Sequence, residues 1–128
     1  MSKPEFDLEK RLLIYAARVI KLVDQLPATR ANAHISKQLL RSGTSPLPNH
    51  GEAQAAESRA DFVHKMQICL KELRESDRWL KLTILAKLTK NAAEAESLGK
   101  ETDELIRIFV KSVATARMKD RAELQQLP

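Results

Sequence analysis

The chain has 128 residues, enough for one domain that buries a core without a disulfide or a metal ion. Hydrophobic residues make up 43% and charged residues 30%, which excludes a disordered chain, and only 3 glycines with few aromatic residues disfavour a β architecture. The net charge of +5 favours an anionic partner, but only weakly, because 22 basic residues face 17 acidic ones.

Cysteine content and apolar run lengths indicate the compartment. Cys69 is the only cysteine, so an intramolecular disulfide is excluded and a reducing cytosol fits. The longest apolar stretch, Leu12 to Ala17, is far shorter than the ~20 residues that span a bilayer. The N-terminus has no recognisable signal peptide, because polar residues interrupt it. The sequence therefore predicts a soluble, cytoplasmic protein without a membrane partner.

The first predicted helix covers residues 7–26. Asp7 is a suitable N-cap, and Pro27 ends the helix. Its apolar residues form two adjacent stripes, a wider face than a two-stranded coiled coil needs and one that suits a helix bundle. The second of these stripes consists of Leu13, Ala16, Ile20 and Val23.

Three further helices are predicted over residues 31–56, 58–89 and 92–118. The helix over 31–56 is expected to break or kink between Gly43 and Pro48. Short connections between long amphipathic helices imply antiparallel neighbours. The predicted fold is therefore all-α: one domain built as an up-and-down four-helix bundle, with a kinked second helix and a frayed C-terminal tail.

No catalytic or cofactor-binding pattern emerges. A di-metal bundle site needs Glu-x-x-His, but Glu72-Leu-Arg-Glu75 has a second glutamate in place of the histidine. Cys69 lies on the apolar stripe of the third helix, which predicts a core residue. A glycine-rich phosphate loop is missing, and no histidine has a partner at helical metal-site spacing. We therefore predict a non-enzymatic protein without a cofactor, metal or small-molecule substrate. The three histidines are His34, His50 and His64.

The third predicted helix carries a strip of polar and basic residues three and four positions apart, opposite its apolar stripe. Lysine and arginine at this spacing can track a phosphate backbone. The alternative is an ordinary solvated helix face, partly neutralised by Asp77. The strip consists of His64, Gln67, Lys71, Arg74, Arg78 and Lys81, and the candidate nucleic-acid-binding residues are Lys71, Arg74, Arg78 and Lys81. Further candidates are Arg11, Arg18 and Lys21 on the first helix and Lys111, Arg117 and Lys119 on the fourth.

The only tryptophan, Trp79, lies on a mixed flank of the same helix. Tryptophan is favoured at the centres of interfaces, so Trp79 is a candidate for a contact between subunits. It is equally a candidate for a residue that closes one end of the bundle core. The sequence leaves these two interpretations open.

Polar positions in the middle of the chain resemble the signature of one family. They are Gln38-Leu-Leu-Arg41-Ser-Gly-Thr-Ser45, then Asn49, Glu52 and Ala53, then Glu57-Ser58-x-x-Asp61-Phe62-x-x-Lys65, then Lys71-Glu72-x-x-Glu75 and Trp79-Leu80. In these residues the chain resembles the four-helix-bundle proteins encoded in intervening sequences of 23S ribosomal RNA genes. The resemblance extends from Phe6 to about Val113, and the Pro46-Leu-Pro48 segment departs from it.

The resemblance implies a ring-shaped homopentamer and a relation to the accessory proteins of diversity-generating retroelements. Those accessory proteins are basic barrels to which the binding of nucleic acid and of a reverse transcriptase is attributed. RNA or DNA and a reverse transcriptase are thus the implied partners. Two function classes remain: a nucleic-acid-binding accessory protein, and a structural or protein-interaction scaffold. The matched positions expected to pair within the bundle or between subunits are Arg41, Asn49, Glu52, Glu57, Lys65, Glu72, Glu75 and Trp79.

Overall fold

The computed structural model describes residues 7–127, which form five α-helices and no strand. These are α1 (Leu8–Asp24), α2 (Arg30–Thr44), α3 (Pro46–Gln54), α4 (Arg59–Leu85) and α5 (Ala92–Gln125). The helices α2 and α3 together take the place of one bundle helix. The prediction of an all-α four-helix bundle with a broken second helix is therefore confirmed. No helix within the described range is both long and apolar enough to cross a membrane.

The four long helices begin with the same kind of cap. In each, a side-chain oxygen of the N-cap residue accepts a hydrogen bond from the backbone N–H three residues along the chain. Each such cap stabilises its helix by about 1 kcal/mol. The caps are Asp7, Thr29, Ser58 and Asn91.

The break between α2 and α3 follows from the two prolines. Pro46 and Pro48 have no N–H to donate, so the helical hydrogen-bond ladder loses two bonds within three residues. Ser45, between the two helices, keeps helical backbone angles, and its N–H still donates to the Arg41 carbonyl at 3.1 Å. The chain thus passes through the break with its direction largely kept, which lets α3 continue along α4.

The end of α4 lies earlier in the chain than predicted. The helix stops at Leu85, short of residue 89, because Lys87 takes a left-handed conformation with φ 54°. The Lys87 N–H donates to the Ile84 carbonyl, and the Leu88 N–H donates to the Thr83 carbonyl. This pair of bonds is a Schellman motif, which closes a helix end and is usually built on glycine.

The end of α5 lies later than predicted. The helix continues to Gln125, so the expected frayed tail after residue 118 is wrong for this stretch. The extra turns are held by Arg59 at the start of α4, whose guanidinium lies 3.0 Å from Asp120 and 2.9 Å from Glu123. The same guanidinium holds the pKa of Glu123 below its usual value.

The core is built around α4, which packs against α5, α3 and α2, while α1 closes the bundle against α2, α3 and α5. Cys69 is completely buried here, as its place on the apolar stripe predicts, and burial raises the pKa of its thiol to about 12. A thiol held in this way is inert at neutral pH. The largest fully buried side chains include Leu12, Tyr15, Leu39, Met66, Leu73, Leu80, Leu105 and Phe109.

A layer of buried hydroxyl groups joins the four bundle helices. The Tyr15 Oη atom of α1 lies 2.7 Å from Thr102 Oγ1 of α5. The Ser42 Oγ atom of α2 lies 2.7 Å from Ser76 Oγ of α4. Burial raises the pKa of Tyr15 to about 12, against the opposing effect of the Thr102 and Ser76 hydroxyls. Because an unpaired hydroxyl in the core costs about 1–3 kcal/mol, the layer favours one register of the helices.

The helices α1 and α2 approach most closely at Gly43, which is buried against Val19. A Cβ atom at position 43 would lie 2.8 Å from both methyl carbons of Val19, closer than packed carbon atoms come. The contact therefore requires glycine, although glycine weakens a helix interior.

We expect Gly43→Ala to destabilise the protein by about 1–3 kcal/mol, because the added methyl group overpacks the α1–α2 contact. The free energy of unfolding in urea measures this effect. Gly51→Ala and Gly99→Ala are matched controls, since a Cβ atom at either position meets nothing within 4 Å. Both should stabilise their helices by about 0.5–1 kcal/mol. Equal effects at all three glycines would contradict the close approach at Gly43.

Candidate nucleic-acid interface

The predicted basic strip lies on the exposed face of α4. His64, Gln67 and the four basic residues of the strip are all exposed, while the opposite side of the helix is buried in the core. This arrangement follows from the helical period, because residues three and four apart share a face. The basic side chains are Lys71, Arg74, Arg78 and Lys81. Whether the strip contacts a nucleic acid stays a prediction.

The carboxylates beside the strip are engaged in ion pairs. On one flank, Arg41 of α2 reaches Glu72 at 3.0 Å and also pairs with Glu75, so one positive charge offsets part of the charge of two carboxylates. On the other flank, Lys81 pairs with Asp77 at 2.8 Å within α4. These groups are partly exposed, so each pair contributes little to stability, but together the pairs reduce the negative charge at the edges of the strip.

Three cations between these flanks have no such partner. Within the described residues, no carboxylate lies within 4.0 Å of Lys71, Arg74 or Arg78. Together with Gln67 and Leu70 they line a shallow depression on the outer surface of α4. The structure therefore divides the four candidate residues into three available cations and one, Lys81, already engaged by Asp77.

Two of the three alternative cations on α1 form ion pairs with α5. Arg11 lies 2.6 Å from Glu101 and 3.0 Å from Glu104, and Arg18 lies 2.8 Å from Glu94, all on α5. The hydrogen bond to Glu101 raises the pKa of Arg11, and the hydrogen bond from Arg18 lowers the pKa of Glu94. Lys21 is exposed, but the two arginines are already paired and cannot bind a phosphate together with it.

The alternative cations on α5 do not form a strip. Lys111, Arg117 and Lys119 are all exposed. Because each residue turns a helix by about 100°, Arg117 lies about 120° around the helix from Lys111, and Lys119 lies about 80° from Lys111 and about 160° from Arg117. They cannot contact one straight phosphate backbone together.

Several of the matched family positions pair within the chain. Lys65 of α4 lies 3.4 Å from Glu52 of α3, and the Asn49 amide donates to the Ser45 carbonyl and hydroxyl at 3.0 Å across the helix break. Glu57 is exposed in the connection between α3 and α4. These contacts tie α3 to its neighbours, and a role between subunits stays a prediction for all of these positions.

Trp79 is half-buried on the flank of α4 that faces α2. Its indole N–H donates to the Glu75 carboxylate at 3.4 Å, and its ring meets the ring of His34 edge-on with centroids 5.9 Å apart. The side chain also packs against the core cluster. Trp79 thus packs against the bundle core and helps to hold Glu75 near α2, and a contact between subunits stays a prediction.

His50 is the one buried histidine among the described residues. Its ring packs edge-on against Phe109, and its Nδ1 atom has no hydrogen-bond partner among residues 7–127. Burial lowers the pKa of His50, while the Glu9 carboxylate acts in the opposite direction. No group of three histidine, cysteine, aspartate or glutamate side chains in the described part of the chain is arranged to hold a metal ion.

The geometry defines a class of protein: a four-helix bundle with a basic strip on one outer helix. The model of the family described as 23S rRNA-intervening sequence protein matches residues 6–111, and the chain belongs to that family. The resemblance found in the polar motif positions is thereby confirmed. A search of the curated proteins found no match.

A solved structure supports the same assignment. The chain is 34% identical to a protein of unknown function from the S23 ribosomal protein family of Bacteroides thetaiotaomicron. The similarity covers 83% of this chain and 97% of that one, with a TM-score of 0.75. The two proteins therefore share the bundle over almost the whole length of the Bacteroides protein.

The buried His50 predicts that acid destabilises the protein. Because its pKa is lower in the folded than in the unfolded state, the unfolded chain binds more protons below the ordinary value of about 6.5. The free energy of unfolding should therefore fall as the pH drops from 7.5 to 5.5. Urea titrations of wild type and His50→Leu measure this, and the variant should lose part of the pH dependence. His64→Gln, which removes an exposed histidine, is the control. An unchanged slope in His50→Leu would contradict the assignment.

Proposed function

We propose that the protein is a non-enzymatic accessory protein that binds RNA through Lys71, Arg74 and Arg78 on α4. The observation that carries the proposal is the row of three exposed cations, for which residues 7–127 supply no carboxylate partner, between flanks whose carboxylates are engaged in ion pairs. Such a row neutralises phosphates and does not read base sequence. The net charge of +5 adds a general attraction to polyanions, and the family description supports RNA as the nucleic acid.

We also propose that copies of the chain assemble, in a ring of five as the family resemblance implies. The second apolar stripe predicted on α1 supports assembly, because part of it stays exposed among the residues that the structure describes. Leu13 is 57% exposed and Ile20 43%, while Ile14 beside them is 50% exposed. Exposed apolar surface of this kind marks interaction sites. A ring would repeat the basic strip five times and so convert weak phosphate contacts into avidity.

A scaffold without a nucleic-acid role is the second candidate. The observation in its favour is the same exposed apolar face of α1, which fits a protein partner as well as another copy. In that case the charged side chains of α4 would only keep its outer face solvated. RNA binding by the strip separates the two candidates.

We expect the triple variant Lys71→Gln, Arg74→Gln, Arg78→Gln to bind RNA more weakly and with less salt dependence. Removing three phosphate contacts should reduce the slope of log K against log salt concentration by about 2–3. Fluorescence anisotropy of labelled RNA at several salt concentrations measures both quantities. Folding should be nearly unaffected, since exposed substitutions change stability by only about 0.5 kcal/mol.

The matched control is Lys111→Gln, Arg117→Gln, Lys119→Gln, which removes the same three charges from α5. This control should keep most of the wild-type slope. Equal losses in both triple variants would show that only net charge matters and would remove the strip as the site. If wild type does not bind RNA at low salt, the result would favour the scaffold function.

Assembly is tested by light scattering at micromolar concentration. Wild type should show about five times the chain mass of 14.5 kDa, and Leu13→Lys with Ile20→Lys should lower the mass because charge would be buried in the interface. Leu85→Lys is the control, since Leu85 is 82% exposed at the far end of α4. A monomeric wild type would refute assembly, and circular dichroism confirms that each variant is folded.

A further inference from the structure

Among residues 7–127, no phenylalanine, tyrosine or tryptophan has an exposed ring on which a base could stack. Tyr15 and Phe109 are buried in the core, and Phe62 is half-buried against it. Trp79 is held by its contacts with His34 and Glu75. Proteins that bind single strands stack successive bases on exposed aromatic side chains, and those contacts repay the ordering of a flexible strand. The nearest exposed ring on this face, His64, lies about 10 Å from Lys71 along the helix axis.

The shape of the surface also differs from a single-strand site. Single-strand binders enclose the backbone in a positively charged groove. Here the cations project from the outer face of one helix, and only a shallow depression lies between them. A convex face of this kind meets the side of a rigid rod and cannot surround a flexible strand.

The three cations form a fixed row along α4. Lys71, Arg74 and Arg78 span about 10 Å along α4, at about 1.5 Å per residue. The opposite side of α4 is packed against three other helices, so the row is straight and held in place. A double helix presents phosphates that are already ordered and carry about twice the charge density of one strand. A rigid row of cations binds such an array without ordering it first.

We propose that the RNA bound at this strip is double-helical and is held by its phosphate backbone. This inference rests on the proposed function and adds the form of RNA to it. Lys71, Arg74 and Arg78 contact the phosphates, and the ion pairs of Arg41 and Lys81 reduce the repulsion between the flanking carboxylates and the second strand.

The test compares a 20-base-pair RNA duplex with each of its two strands, chosen so that neither strand folds on itself. At moderate salt the duplex should bind wild type about tenfold more tightly than either strand, beyond the twofold given by its doubled phosphate number. In Lys71→Gln, Arg74→Gln, Arg78→Gln this preference should fall to about twofold. The α5 triple variant defined above is the matched control and should keep the preference.

His64→Ala provides a second readout, because its side chain is exposed and the change should leave folding intact. The variant should bind single strands as wild type does, and a loss of single-strand affinity would reveal base stacking and overturn the inference. Single strands that bind as tightly as the duplex would also overturn it, while leaving RNA binding by the strip in place. If neither form binds at low salt, the proposed function itself fails.

Discussion

The register of α2 against α4 depends on the buried hydrogen bond between Ser42 and Ser76. This bond favours one register, because a slip by one turn would break a hydrogen bond between two buried hydroxyl groups. Arg41 directly precedes Ser42, and Glu75 directly precedes Ser76, so the same register brings the arginine to the carboxylates on the flank of α4. The arginine reduces the negative charge of that flank, and the outer face of α4 keeps the positive charge of its own basic residues. A buried neutral contact thus helps to set the charge around the exposed strip.

Local signals were sufficient to predict most of the fold. The apolar period located the bundle helices, and the caps at Asp7 and Ser58 are short-range features of the sequence. The two helix ends that differ depend on contacts or conformations that composition does not reveal. The end of α4 is set by Lys87 in a left-handed conformation, where glycine is the usual signal. The end of α5 is set by Arg59, which is distant in sequence and becomes a neighbour only after folding.

The part of the candidate site that lies on a single helix could be predicted from the sequence. The outward position of the strip needs only the helical period, but the pairing partners need the register between helices. Arg11 and Arg18 are seven residues apart, and so are Glu94 and Glu101 with which they pair. Because equal spacing on two antiparallel helices lets both ion pairs form, this spacing was a usable signal that the two arginines pair within the bundle. The periodicity of the apolar residues alone does not reveal these pairs. The neutralisation of Glu75 by α2 required the fold itself.

Lysine footprinting tests the central claim, that RNA occupies the outer face of α4, without substituting any residue. Exposed amines are acetylated in the presence and absence of RNA duplex, and the modified positions are quantified by mass spectrometry. We expect Lys71 to lose most of its reactivity when RNA is added, while Lys111 and Lys119, which are also exposed, keep theirs. Protection of Lys111 or Lys119 with Lys71 unchanged would contradict the claim.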